Sequence, residues 1–368
     1  MGKRMLLLIV AGLCVCAMVY IILPKTLMTR SVFKAYKAMD DRKSQLPMLQ
    51  NATHQYIPVH AMDAELVGAF RNTPTNHTEI NPREAEKLSK LRQEMLCRLK
   101  KKVPFSTITR KQAAKDKNNG VLPEESLEKL VHFNSCAVVS SSHALRLHTY
   151  GREIDSHDAV LRFNCAPTHT FEQFVGKRTD IRLINTLIPH RKCGDEFWSE
   201  NSTIFTHGSL VIRNMDGINL EPRGVDAKKD PHHAFDNLIK YRKTFPNRSL
   251  PFIQRPRFGQ DIKTEMARFC ASTGMCEKTK MSPSTGLFGV VMMMHLCDWV
   301  HVYEFVPSNR DNTTLIYYFA ETAVRSPHDL HSYNQERTYV KTLSLTPYEV
   351  INDTGVVLIQ GLSQTRCG

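Results

Sequence analysis

The chain is short of the usual devices for holding a nucleotide. No Asp-x-Asp pair occurs in residues 82–368; Asp40-Asp41 lies upstream, and the acids of Asp155-Ser-His-Asp158 are spaced differently. A divalent ion held against a diphosphate needs clustered carboxylates, so neither a metal nor any other cofactor is expected. In residues 136–185, the stretch richest in signals, neither GxGxxG nor GxxxxGK[ST] occurs. The two common glycine-rich phosphate loops are therefore excluded there. No internal repeat is visible, which argues against solenoids and propellers. No RNA- or DNA-binding motif accompanies the net charge of +13. The basic residues are spread out, with clusters only at Arg98, Lys100, Lys101 and Lys102 and at Arg110, Lys111, Lys115 and Lys117. That pattern reads as solvated surface that also suits an anionic ligand, and nucleic acid is not an expected partner.

What is present begins with an apolar run. Met5 to Leu23 carries no charge, follows Lys3 and Arg4, and is long enough to cross a bilayer as a helix. Lys25 and Arg30 weaken the charge asymmetry, and a signal peptide cleaved near Ala17 is the rival reading. The length of the run favours an uncleaved anchor: residues 1–4 cytoplasmic, 5–23 spanning, and the remainder in a lumen. Six Asn-x-Ser/Thr acceptors, at Asn51, Asn76, Asn201, Asn247, Asn312 and Asn352, fit a secretory compartment. So do the cysteines: of ten, Cys14 and Cys16 lie in the apolar run, leaving an even number for an oxidising lumen.

Residues 24–81 have little periodicity and carry Pro24, Pro47, Pro58 and Pro74, the composition of an extended stem. A helix then starts with Asn81 as N-cap, Pro82 at its first position and Glu84 closing a capping box. Leu88, Leu91, Met95 and Leu99 share one of its faces. From residue 82 to 368 short apolar runs alternate with helical stretches. Residues 137–140, 159–163, 180–184, 202–207, 209–214, 251–254, 300–305 and 355–360 read as strands, and 234–244 and 286–297 as helices. The expected fold is α/β, a single Rossmann-like, mostly parallel sheet with helices on both faces.

Cys136-Ala-Val-Val opens the informative stretch as a strand buried on both faces, and Ser140, Ser141 and Ser142 follow where such a sheet presents its carboxyl edge to ligands. Asn164 and Asn185 each stand just past a predicted strand; asparagines there are ordinarily turn formers. The whole segment, CAVVSSSHALRLHTYGREIDSHDAVLRFNCAPTHTFEQFVGKRTDIRLIN, resembles the large sialyl motif of the animal-type sialyltransferases, glycosyltransferase family 29. GREIDSHDAVLRFN followed by Ala-Pro-Thr is most similar to the β-galactoside α2,6 branch. The resemblance implies a GT-A-like variant of the fold and a site for CMP-sialic acid contacted through Ser141, Asn164 and Asn185. One departure is the turn itself, where Ser142, His143 and Ala144 replace a usual glycine.

Pro283-Ser-Thr-Gly286, leading into LFGVVMMMHLCDWVHVYEFVPS, resembles the small sialyl motif. Its hydroxyls and free helix N–H groups can hold an anion, although alone it reads equally as an N-capped core helix; paired with the first block, the resemblance implies that Ser284, Thr285 and Gly286 hold the donor's carboxylate or phosphate. His331-Ser-Tyr-Asn-Gln-Glu336 matches the His-x4-Glu pattern of the very small motif, with His328 as competitor for the histidine. His331 is then the general base and Glu336 the carboxylate that orients it or raises its basicity. Tyr317 and Tyr318 resemble the tyrosine-rich third motif and are assigned to the donor as well. The family also implies the bonds Cys136–Cys297 and Cys97–Cys367. It has no counterparts for Cys165, Cys193, Cys270 and Cys276, although Cys270–Cys276 is sterically possible. A further family bridge is missing as a unit, Leu315 standing at one of its positions.

The resemblance thus implies a Golgi-membrane, single-pass type II transferase that moves sialic acid from CMP-sialic acid to the 6-hydroxyl of terminal β-galactose on glycoprotein glycans. The reaction would invert the anomeric centre and need no metal, and a homodimer is an open possibility. Two rivals remain: an α2,6 enzyme acting on N-acetylgalactosamine, and an inactive, anchored sugar-nucleotide-binding protein.

Overall fold

A computed structural model of the protein describes residues 82–112, 119–189, 193–213, 234–274, 283–309, 316–320 and 331–368. All lie in the unit Val59–Gly368; the other unit, Met1–Pro58, falls outside them, as do the expected anchor and stem. Among the described residues no helix is long and apolar enough to cross a membrane.

Seven strands form one sheet: β1 (Phe133–Val139), β2 (Ala159–Phe163), β3 (Ile181–Asn185), β4 (Ser209–Arg213), β5 (Phe252–Ile253), β6 (Cys297–Tyr303) and β7 (Val356–Gln360). Their order is β5-β4-β3-β2-β1-β6-β7, parallel throughout except for the antiparallel β6–β7 pair. The expected mixed, mostly parallel sheet is what forms. Because both faces are covered, alternate residues of each strand enter different cores. Cys136, Val138, Leu161, Leu183, Val211 and Val302 join one cluster, while Ala137, Val139, Val160, Ile184 and Ile212 join clusters on the other side.

The first face is covered by α1 (Pro82–Lys102), α3 (Pro256–Thr273), α4 (Thr285–Leu296) and α5 (Tyr333–Leu343); α2 (Ala234–Thr244) contributes to the second. On α1 the expected stripe is buried at Leu88, Met95 and Leu99, with Leu91 packed at its margin. Asn81 and the Glu84 side chain lie outside the described residues. Helix α4 is apolar all round, and Met292, Met293 and Met294 are fully buried, as suits a helix lying within the core. Gly289 lets α4 approach the sheet: a Cβ there would come within 2.3 Å of the Phe163 ring.

Residues 202–207, expected as a strand, form turns instead. The Ser202 hydroxyl accepts the N–H groups of Ile204 and Phe205 and donates to Glu196, and Thr206 Oγ1 donates back to the Ser202 carbonyl. Local side-chain bonds thus outcompete a ladder, while Phe205 still reaches the core.

Three disulfides link described cysteines. Cys97–Cys367 ties α1 to the C-terminal segment, and Cys136–Cys297 joins β1 to β6; both match the expected pairing. Cys165–Cys193, which the sequence left unassigned, is the third. Cys270 is also disulfide-bonded, and Cys276 lies outside the described residues. Of the glycosylation acceptors, Asn201 and Asn247 are exposed and Asn352 is half-buried; Asn51, Asn76 and Asn312 are outside the described residues.

Candidate active site

Strand order reverses at β1, with β2 to β5 built out on one side and β6 on the other. In open parallel sheets that reversal opens a crevice at the carboxyl ends of the strands, where ligands bind. The residues at those ends are Ser140 and Ser141 after β1, Asn164 after β2, Asn185 on β3, Arg213 on β4 and Glu304 after β6.

The β1 turn is organised from beneath. Ser140 is buried, and its hydroxyl donates to the Glu304 carbonyl (2.9 Å) while accepting the Ser142 N–H (3.1 Å). Ser142 then caps a short 3₁₀ turn by accepting the Ala144 N–H. His143 is buried rather than presented at the surface. Ser141 stays half-exposed, and its carbonyl accepts the Tyr318 N–H at 3.1 Å. Ile316 accepts the His143 N–H, so the segment 316–320 runs antiparallel beside the serine turn.

That pairing brings Tyr317 and Tyr318 to the site, in different roles. Tyr317 is half-exposed and stacks on Phe319 with ring centroids 5.3 Å apart. Tyr318 is fully buried: its hydroxyl donates to the Pro167 carbonyl, its ring packs edge-on against Phe171, and burial pushes the phenol up to about 12. It braces the turn, and its phenol is closed to a ligand.

Asn164 and Asn185 are joined. Asn164 holds a left-handed φ of 45°, and its Oδ1 accepts the Asn185 N–H (3.1 Å). Asn185 Oδ1 accepts the Leu187 N–H (3.0 Å). Both asparagines therefore do form turns, and both stay half-exposed at the strand ends.

Ser284 is the N-cap of α4, accepting the Leu287 N–H. Its own N–H donates to Glu336 Oε1 at 2.7 Å and its hydroxyl donates to Glu336 Oε2. Glu336 is 1% exposed, and burial pushes its carboxyl up to about 7 despite the Ser284 hydrogen bonds and the nearby Arg213 and Arg337. Each of its oxygens thus accepts from Ser284, a link that the expectation of a carboxylate orienting His331 or raising its basicity did not include. His331 itself lies two residues before α5, half-exposed, its ring edge-on to Tyr333. The competing His328 falls outside the described residues. Thr285 Oγ1 accepts from Arg213 at 3.4 Å, and the guanidinium lies 3.6 Å from the Phe288 ring centroid. Gly286 is required by space: a Cβ there would meet the Phe305 ring at 2.7 Å.

The sequence reading missed Arg213 and Glu304. Arg213 ends β4 and is the register partner of Asn185, a signal available only once strand order is known. Glu304 also adopts a left-handed φ of 51° and is 1% exposed; its carboxylate accepts the Ser308 N–H and hydroxyl, both at 2.8 Å, and faces His148 Nε2 at 3.2 Å.

Comparison with known proteins gives this geometry a context. A family model described as glycosyltransferase family 29 (sialyltransferase) matches residues 80–346. The chain is 30% identical over 346 residues to beta-galactoside alpha-2,6-sialyltransferase 2 of Xenopus tropicalis, covering 91% of this chain and 61% of that protein. It is 33% identical over 254 residues to beta-galactoside alpha-2,6-sialyltransferase 1 of Homo sapiens, covering 67% and 59%. The chain spans about three fifths of the length of these curated relatives. A crystal structure of a mammalian sialyltransferase in complex with Gal-beta-1-3GalNAc-ortho-nitrophenol is similar at 18% identity and a TM-score of 0.41, covering 75% of this chain and 84% of that one; a likeness that low carries no weight.

Proposed function

The chain belongs to glycosyltransferase family 29, the sialyltransferases, and from that premise we propose that it transfers sialic acid from CMP-sialic acid to the 6-hydroxyl of terminal β-galactose on glycoprotein glycans. The curated relatives named above support the linkage, as does GREIDSHDAVLRFN. The observation that carries the reading is the set of links Glu336–Ser284, Arg213–Thr285 and Ser141–Tyr318, which tie four separate sequence blocks to the ends of β4 and β1.

In this reading Ser141, Asn164 and Asn185 hold the nucleotide, and the N-terminus of α4 with Ser284, Thr285 and Gly286 faces the anionic groups. Tyr317 borders the donor, while Tyr318 supports the turn beneath it. His331 takes the proton from the acceptor hydroxyl as that oxygen attacks the anomeric carbon, and cytidine monophosphate leaves from the opposite face. One direct displacement inverts the centre and needs no enzyme nucleophile. Charge developing on the departing phosphate meets donors already in place, so no metal is required. Glu336 serves by fixing Ser284. The apolar run at residues 5–23 would anchor the chain in the Golgi membrane, with residues 82–368 in the lumen.

Assay of the purified full chain with CMP-sialic acid and N-acetyllactosamine should give a 6-linked product, unchanged by chelator and lost in His331→Ala. Absence of transfer to every galactoside offered would sink the proposal.

A further inference from the structure

Arg162 on β2 and Arg182 on β3 are register partners on adjacent strands, so their side chains leave the same face of the sheet side by side. They are 0% and 2% exposed, and among the described residues neither makes an ion pair. Like charges set together in a dry interior are unfavourable, so the arrangement calls for a compensating group.

Arg162 is served locally at Nε and Nη2, although its Nη1 is buried without a hydrogen-bond partner. Its Nε donates to the Arg178 carbonyl (2.9 Å) and the Thr179 hydroxyl (3.1 Å), and Nη2 donates to the Val175 carbonyl. Asp155 and Asp180 favour its charge from nearby. Their oxygens are occupied, however, by the N–H groups of Lys177, Arg178 and Val160 and by the Arg178 guanidinium.

Arg182 has no such acid. Burial and the Arg162 charge both work against it, and Tyr318 beside it is a neutral phenol. Its Nη1 donates to the carbonyls of Asn164 (2.9 Å) and Ala166 (3.0 Å), its guanidinium lies 5.6 Å from the Phe205 ring centroid, and its Nε is buried without a hydrogen-bond partner. Two consequences meet at Asn164. The left-handed backbone there, which a non-glycine residue takes only when held, is gripped at its carbonyl. A positive charge lacking an acidic partner also sits directly behind the strand end.

We propose that Arg182 is a positioning residue of the donor site: it clamps the Asn164–Ala166 turn, and its buried charge finds its counter-charge in the anionic part of the nucleotide. The inference rests on the donor reading of the carboxyl edge given above. Cytidine 5′-monophosphate and cytidine separate the two, since they differ only by the phosphate. Calorimetric titration of the full chain should show the monophosphate binding tighter. That advantage should survive about 1 M salt, where exposed charges are screened within about 3 Å. Arg182→Gln, which keeps a donor but removes the charge, should shrink the advantage by about tenfold or more while weakening cytidine by less than about threefold. Arg182→Lys should restore part of it. Equal weakening of both ligands would overturn the charge role and leave the donor site standing. An advantage that vanishes with salt in the unsubstituted chain would overturn it too, whatever the stability of the variants. If the unsubstituted chain binds neither ligand, the donor reading itself fails.

Discussion

The Glu336 carboxylate is buried to 1% exposure and given over to one serine, so its worth is structural before it is chemical. Removing it would leave the Ser284 N–H and hydroxyl without acceptors inside the protein. A buried donor stranded in this way costs about 1–3 kcal/mol, so Glu336→Ala should destabilise the fold by roughly 2–4 kcal/mol in urea melts. Glu336→Gln retains one acceptor and should lose about half as much. Equal stabilities for Glu336→Ala and the unsubstituted chain would refute the link. His331→Ala, at a half-exposed position, should leave the melt within about 0.5 kcal/mol while abolishing transfer. The His-x4-Glu spacing is visible in the sequence, but spacing cannot show which partner a carboxylate takes. Here the N-cap of a helix from another block bonds to it.

At the scale of elements, the strands were legible where apolar runs are short and doubly buried, as in 159–163. They were illegible where hydroxyl side chains close turns on themselves, as at Ser202 and Thr206. The blocks at Ser141, Asn164, Asn185 and Ser284 could be named because they resemble family motifs; their places after a strand or at a helix start alone read as turns and a cap. Arg213 and Glu304 could not, since their relevance depends on which strands become neighbours. The Cys136–Cys297 bond fastens β1 to β6 across a separation of 161 residues. Closing so long a loop restricts the unfolded chain strongly, and loss of such a bond costs about 2–5 kcal/mol. The paired substitution Cys136→Ala with Cys297→Ala should therefore lower the unfolding free energy by that margin, and the urea midpoint with it, under non-reducing conditions. A midpoint unchanged from the unsubstituted chain would show that strand pairing alone suffices.

For the whole molecule, burial sets the response to acid. His157, His295 and His301 are each pushed down to about 4 from 6.5, chiefly by desolvation. Between those values the unfolded chain binds about three more protons at these sites than the folded one, so their effect is to lower stability as pH falls. Glu336 works in the opposite sense. Its carboxyl, raised to about 7 from 4.5, adds stability that is complete below 4.5 and lost as pH rises through 7. About two net protons therefore favour unfolding between pH 6.5 and 4, a slope of the order of 2–3 kcal/mol per pH unit at its steepest. Thermal midpoints should fall across that window, and His301→Asn should flatten the decline by about one proton. A midpoint constant from pH 6.5 to 4 would contradict the burial argument.

The position of β6 between β1 and β7 has a consequence for the nascent chain. Strand β1 ends at Val139, yet its second neighbour is complete only at Tyr303. At about 5–20 residues per second, ribosomal synthesis leaves that flank of β1 unpaired for roughly ten to thirty seconds. Within that interval Cys165 and Cys193 emerge ahead of Cys297, the partner of Cys136. The finished sheet conceals this order of synthesis: any early bond from Cys136 to Cys165 or Cys193 is a mispairing that must be exchanged before the native Cys136–Cys297 bond can close.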